Sequence, residues 1–253
     1  MKTTFFQEIY QSLHCKKTED LVKIIKYGFP LAHKPAQDFL MPFAENPNEN
    51  NYLISDNLGE ALDQCSIDIP SFCLAGDRQL YIRFPDFVSK RWQGAFCKVE
   101  GNTFSILLAG RVNILATGFA KLSYDLSGHA NLESCLNKAK EHPRFDDDFC
   151  HCAIFAAKCL LYIRSGDPDL RIWKSPELPK TRKEKKIRTF LKTHHMFDVV
   201  MVGLDYKKPT IHSKDQTTVP GHYRWQRIGK GLSDIKLTWV KQHPRILNRE
   251  EAA

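Results

Sequence analysis

A chain of 253 residues, 42% of them apolar and 26% charged, carries enough apolar material to bury a core without disulfide staples, which excludes the disordered and small cystine-rich classes. Its 37 Lys and Arg against 29 Asp and Glu give a net charge of +8, and the excess is local: 19 basic and 8 acidic residues follow residue 170, whereas the first 170 hold 18 and 21. Basicity concentrated in this way predicts a surface suited to RNA, DNA or an acidic protein, and no apolar run reaches the roughly 18 residues that a membrane-spanning helix needs.

In chain order, apolar positions at Phe5, Phe6, Ile9, Leu13, Leu21, Ile24 and Ile25 predict helical character over 3–27, with Thr18 able to cap a second short helix. Glu8 stands where a signal peptide needs its apolar segment, so the expected setting is soluble and cytoplasmic. From Pro30 to Asn51, four prolines and four asparagines without periodicity predict a loop. Asp56 then opens a short helix ending near Cys65. The chain is read as a helical segment and loop over 1–54, an α+β core over 55–170, and a basic region over 171–253 that completes the same domain.

Short β-rich runs follow at Phe72–Leu74, Leu80–Phe84, Ala95–Val99, Phe104–Leu108 and Phe119–Tyr124, with Gly101-Asn102 as a tight hairpin signal. Consecutive hairpins predict an antiparallel sheet rather than a βαβ crossover fold. A helix is expected over 132–141, and a longer one over 145–164, where Phe149, Cys152, Phe155, Ala156, Cys159, Leu160 and Ile163 recur at helical spacing. Ala153, Ile154, Ala157 and Leu161 make that second helix apolar nearly all round, which predicts a central position packed on the sheet. Ser165-Gly166-Asp167-Pro168 ends it, and Asp198–Gly203 reads as a buried strand.

The cysteines at 15, 65, 73, 97, 135, 150, 152 and 159 lack Cys-x-x-Cys knuckles and read as reduced and mostly buried. Cys150-His151-Cys152 cannot close on one ion, because adjacent helical side chains diverge by about 100°. By the same geometry Asp146, Asp147 and Asp148 are read as helix-capping residues. No Walker loop, nucleophile elbow, His-Glu-x-x-His or paired acidic motif is present, so neither a cofactor nor a metal is expected.

Two basic stretches are candidate binding surfaces. The first is the tract from Lys180 to Arg188, with Arg182, Lys183, Lys185 and Lys186. The second is the run Val219–Gly231 closing with Lys236–Val240, in which aromatic and basic residues alternate about a Gly229-Lys230-Gly231 turn. Alternation puts Tyr223 and Trp225 on one face and His222, Arg224 and Gln226 on the other. The binding candidates are therefore His222, Arg224, Gln226, Arg227 and Lys230, with Trp225 and Trp239 structural.

The order of these pieces resembles the AcrVA-two-like family, phage, plasmid and integrative-element proteins that include a type V-A anti-CRISPR protein. The similarity runs over roughly residues 55–248 and rests on Ile69–Cys73, Gly94–Glu100, Leu160–Ile163 leading to Asp167–Asp169, Leu178–Lys183, Phe197–Gly203, Gly221–Trp225, Leu237–Val240 and Ile246–Asn248. Family members usually carry Arg before the Gly-His pair, where this chain has Pro220, and often a second His where it has Arg224. The resemblance implies antagonism of CRISPR immunity inside a bacterial host, by lowering the amount of a CRISPR effector through its transcript or nascent chain. A basic, aromatic-edged surface is chemically suited to such partners.

Two other classes stay open on the residues alone. One is a phage or plasmid accessory protein that binds nucleic acid, or cleaves RNA without metal using histidines among His194, His195, His212, His222 and His243. The other is a structural module whose basic face is simply solvated. The overall expectation is a binding protein rather than an enzyme.

Overall fold

The computed structural model describes residues 22–23, 34–46, 50–65, 78–101, 103–110, 120–125, 146–165, 167–173, 198–210, 216–228, 230–232 and 234–246. The helix expected over 132–141, most of the helical pattern over 3–27, the run Phe72–Leu74 and the tract 180–188 lie outside these residues.

The stretch read as a loop is a helix, α1 (Lys34–Glu45), followed by a strand, β1 (Asn51–Ile54). Ala36, Phe39, Leu40, Phe43 and Ala44 recur at helical spacing and are buried along one face, and that burial outweighs the proline content. Pro35 falls in the first turn, where a missing N–H leaves no hydrogen bond unmade, although Pro42 lies in the helix interior.

After β1 come α2 (Asp56–Gln64), β2 (Arg78–Arg83), β3 (Trp92–Glu100), β4 (Thr103–Gly110), β5 (Ala120–Asp125), α3 (Asp147–Arg164), β6 (Leu170–Trp173) and β7 (Val199–Val202). Seven strands form one sheet in the order β5-β4-β3-β2-β1-β7-β6. From β2 to β5 the pairs are antiparallel, as the hairpin signals predict, with Gly101 turning the β3–β4 hairpin at φ +54°, and β6 also pairs antiparallel with β7. The centre corrects the antiparallel expectation: β1 runs parallel to both β2 and β7, so β1-α2-β2 is a crossover unit inside an α+β fold with a mixed sheet. A strand of four residues that begins with Asn51 gives too short an alternation to be read from sequence.

Both faces of the sheet are covered. Leu80, Ile82, Cys97, Val99, Phe104, Ile106 and Leu108 point to a core shared with Leu58 and Leu62 of α2 and with α3. On the opposite face Phe43 of α1 meets Phe96 edge-on at 5.0 Å, and Phe96 stacks beside Tyr81 at 4.6 Å. Phe104–Gly110 is consequently buried on both sides, which is why β4 reads as a nearly continuous apolar run.

α3 is capped at its start by Asp146, whose Oδ1 accepts from the Phe149 amide at 2.8 Å, and at its end by Ser165. Its buried residues lie all around its circumference because it has partners on several sides. Phe155 meets Phe84, just past β2, at 5.4 Å, while Tyr162 meets Trp239 of the C-terminal segment at 5.9 Å. The helix is thus a layer between the sheet and a C-terminal ribbon.

That ribbon comprises β8 (Gln216–Val219), β9 (His222–Ile228), a 3-10 turn over Lys230–Leu232, β10 (Asp234–Val240) and β11 (His243–Ile246). β9 pairs antiparallel with β10, and β8 with β11. His222 faces Val240 and Val219 faces His243, so both ladders share one register across a gap of two residues per strand. They form a single hairpin arm, interrupted where Pro220 offers no N–H to a ladder.

A candidate binding ribbon

The ribbon is held to α3 by its inner pleat. The Tyr223 hydroxyl donates to the Lys158 carbonyl at 2.6 Å, and its ring lies 4.8 Å from that of Trp239, its cross-strand partner. Burial pushes the Tyr223 phenol well above its ordinary pKa, so it stays a neutral donor at any physiological pH. Trp239 is 9% exposed and belongs to the main core, and Leu237 packs against the same core.

Gly221 makes this close approach possible. A Cβ there would sit 2.7 Å from Cη2 of Trp239 and closer still to Cζ2, inside the contact distance of about 3.5 Å between carbons. The Tyr206 hydroxyl receives the Gln242 amide at 3.2 Å, tying the loop after β7 to the base of β10. The Gly221–Trp225 and Leu237–Val240 motifs therefore include the residues that hold the ribbon in place, Gly221, Tyr223, Leu237 and Trp239.

Because paired residues share a pleat, the opposite face follows directly. Arg224 stands across from Thr238, and Gln226 across from Lys236, with His222 and Val240 at the next rung. Arg224, Gln226 and Lys236 are exposed, and His222 and Thr238 are half-buried. Arg227 pairs with Ile235 and so belongs to the other pleat, yet near the tip it too is exposed, as is Lys230 in the turn. Among the described residues, no carboxylate lies within ion-pair distance of Arg224 or Arg227. From Gln216 to Ile246 the arm carries six Lys or Arg and one acidic residue, Asp234.

His222, Arg224, Gln226, Arg227 and Lys230 are thus brought onto one arm, with Arg227 on the opposite pleat from Arg224. Arg182, Lys183, Lys185 and Lys186 lie outside the described residues, as does the Trp225 side chain. Lys236 and Thr238 were absent from the sequence-based candidates although they complete the outer face. The signal that identifies them is the equal length of the two arms about the turn, which fixes the cross-strand partners.

His222 and His243 each set Nδ1 near a backbone carbonyl, those of Pro220 and Lys241, and they sit three rungs apart along the arm. His194, His195 and His212 lie outside the described residues. Cys65, Cys97, Cys150, Cys152 and Cys159 are buried thiols, and no group of three or more metal-ligating side chains occurs among the described residues. Asp146 caps α3, and Asp148 accepts from the Ser89 hydroxyl at 2.9 Å. No described helix is long and apolar enough to cross a membrane.

Comparisons with protein-family models, with curated proteins and with solved structures find no match to this chain.

Proposed function

We propose that this protein is a non-enzymatic binding protein of the anti-CRISPR kind, encoded on a mobile element, that lowers production of a CRISPR effector in a bacterial host, and that it grips its partner with the outer face of the β9–β10 ribbon. The observation that carries the binding surface is the division of the arm: Tyr223 and Trp239 are spent on α3, while Arg224, Gln226 and Lys236 project away from it. An arm whose inner pleat is fixed to a helix holds its outer side chains at little conformational cost, which favours binding. The effector as target rests on the sequence resemblance, whose motifs fall on β3, α3, β7 and both strands of this ribbon. Nucleic acid connected with expression of the effector is the partner that the charge suits best, and the nascent effector chain is the other partner implied by the resemblance.

The test compares effector levels in bacteria producing the wild-type protein or a variant with Arg224→Glu and Lys236→Glu. The expected result is a fall in effector with the wild type and recovery with the variant, both proteins being equally folded by circular dichroism. Unchanged effector in both strains would overturn the anti-CRISPR reading, and an equal fall in both would overturn the ribbon as the contact surface. A plasmid or phage accessory protein that binds nucleic acid is the second reading, favoured by the same basic arm, and a pulldown with and without ribonuclease, in which bound nucleic acid is sequenced and bound proteins are identified, separates the two.

A further inference from the structure

We infer that the outer quartet Arg224, Gln226, Lys236 and Thr238 enters the major groove of duplex DNA and reads base edges there. This rests on the reading of the ribbon's outer face as the binding surface, and names its ligand.

Shape comes first. The strands of an antiparallel pair lie about 4.8 Å apart, and the major groove of B-form DNA is about 12 Å wide, which admits a two-stranded ribbon with its side chains. Residues two apart on one strand are separated by about 6.8 Å, close to two base-pair steps. Arg224 with Gln226, and Lys236 with Thr238, therefore reach base pairs two steps apart from the two sides of one ribbon.

The side-chain chemistry fits the same groove. Arginine and lysine suit the acceptor pair of guanine, glutamine the donor and acceptor of adenine, and threonine either a polar edge or the thymine methyl. Three of the four are exposed, and all four share one pleat. Exposed cations elsewhere on the arm, Arg227 and Lys230 toward the tip and Lys241 and Arg245 toward the base, are placed for the flanking phosphates.

The alternatives fit less well. Single-stranded nucleic acid is held by exposed aromatic platforms, whereas among the described aromatic side chains of β9 and β10 both Tyr223 and Trp239 are turned onto α3. Duplex RNA has a major groove too deep and narrow for side chains to read. A protein that reads duplex DNA would act on the effector's gene rather than on its message.

The experiment is fluorescence anisotropy with a duplex DNA of about 24 base pairs, drawn from a randomised pool enriched on the protein, against single-stranded RNA and duplex RNA of equal length. The expected result is at least tenfold tighter binding to the duplex DNA, with a slope of log affinity against log salt of about −3.6 if four phosphates are neutralised. Arg224→Ala and Gln226→Ala should each relax the sequence preference by roughly tenfold or more, while Lys230→Ala and Lys241→Ala weaken all duplexes alike and reduce the slope by about one each. Arg224→Lys, which keeps the charge but loses the planar fork, should show the same loss of preference and guards against misfolding of the alanine variant. RNA binding as tight as DNA binding, or preference unchanged by Arg224→Lys and Gln226→Ala, would overturn this inference while leaving a nucleic-acid-binding ribbon intact. No binding of any nucleic acid at low salt would overturn both.

Discussion

Replacing Gly221 with alanine should loosen the ribbon while sparing the sheet. The added Cβ would lie 2.7 Å from Cη2 of Trp239, about 1 Å inside ordinary contact. The indole cannot easily yield, since Tyr223 flanks it at 4.8 Å and Tyr162 at 5.9 Å. Overpacking of this kind costs typically 1–3 kcal/mol, so a loss of about 2 kcal/mol is expected, or a fall in Tm of roughly 4–8 °C for a protein of this size. Chemical denaturation followed by tryptophan fluorescence measures the loss, and limited proteolysis locates it, with cleavage appearing first between 216 and 246. The cause is checked by pairing Gly221→Ala with Trp239→Leu. The smaller side chain leaves room for the methyl group, so the double variant should be less destabilised than the two single changes added together. A Gly221→Ala protein within about 0.5 kcal/mol of wild type, the scatter of a neutral surface change, would refute the packing argument.

Tyr223→Phe removes a 2.6 Å hydrogen bond to the Lys158 carbonyl but keeps the ring, and should cost about 1 kcal/mol in a denaturant titration. Asp146→Ala removes the cap from the Phe149 amide and should cost about 1 kcal/mol, and Arg91→Ala, which breaks the exposed 2.7 Å ion pair to Asp146 and lifts the guanidinium from the Trp92 ring 4.5 Å away, should cost no more than that. Burial raises the Cys65 thiol from 9.0 to about 11, with Lys158 opposing the shift. Between those values the unfolded chain has lost this proton and the folded one has kept it, so stability is full below pH 9 and falls by about 1.4 kcal/mol per pH unit above it until the folded thiol titrates. Cys97 is pushed up by burial in the same sense, and urea melts at pH 8, 9 and 10 should show the decline while a Cys65→Ala variant shows less of it.

Much of the framework was legible in the sequence because its signals are local. The 3.6-residue recurrence in 147–164, the Gly101 turn between alternating runs and the apolar Val199–Val202 stretch each report an element from its own residues. The all-round apolar character of α3 marks a central helix, whereas its second cover is the contact of Tyr162 with Trp239, which no local pattern records. α1 was missed because proline content suggested a loop, while the helix is stabilised by Phe43 against Phe96, some 50 residues away in sequence. The parallel placement of β1 was missed for a related reason. Its neighbours are Tyr81–Arg83 and Val200–Val202, and a four-residue strand carries no record of which distant partners flank it. On the ribbon, alternation told which side chains share a pleat, but the anchoring of the inner pleat on Lys158 belongs to a contact across 65 residues.

The layered position of α3 has a bearing on the order in which the chain becomes a protein. β1 is bonded on one side to β2 and on the other to β7, and the Ser55 hydroxyl donates to the carbonyl of Gly203, 148 residues later. During synthesis, the slot beside β1 waits for β7, and the flank of α3 around Tyr162 waits for Trp239 of β10. Contacts of such long sequence separation close slowly, so the partly made chain exposes apolar surface until residue 239 has emerged. A truncation that removes only β10 and β11 would then leave every residue of the central helix in place and still uncover it. The β10–β11 segment is in this sense the lid of the core, and a premature stop before it should produce an aggregating species rather than a shortened but folded protein.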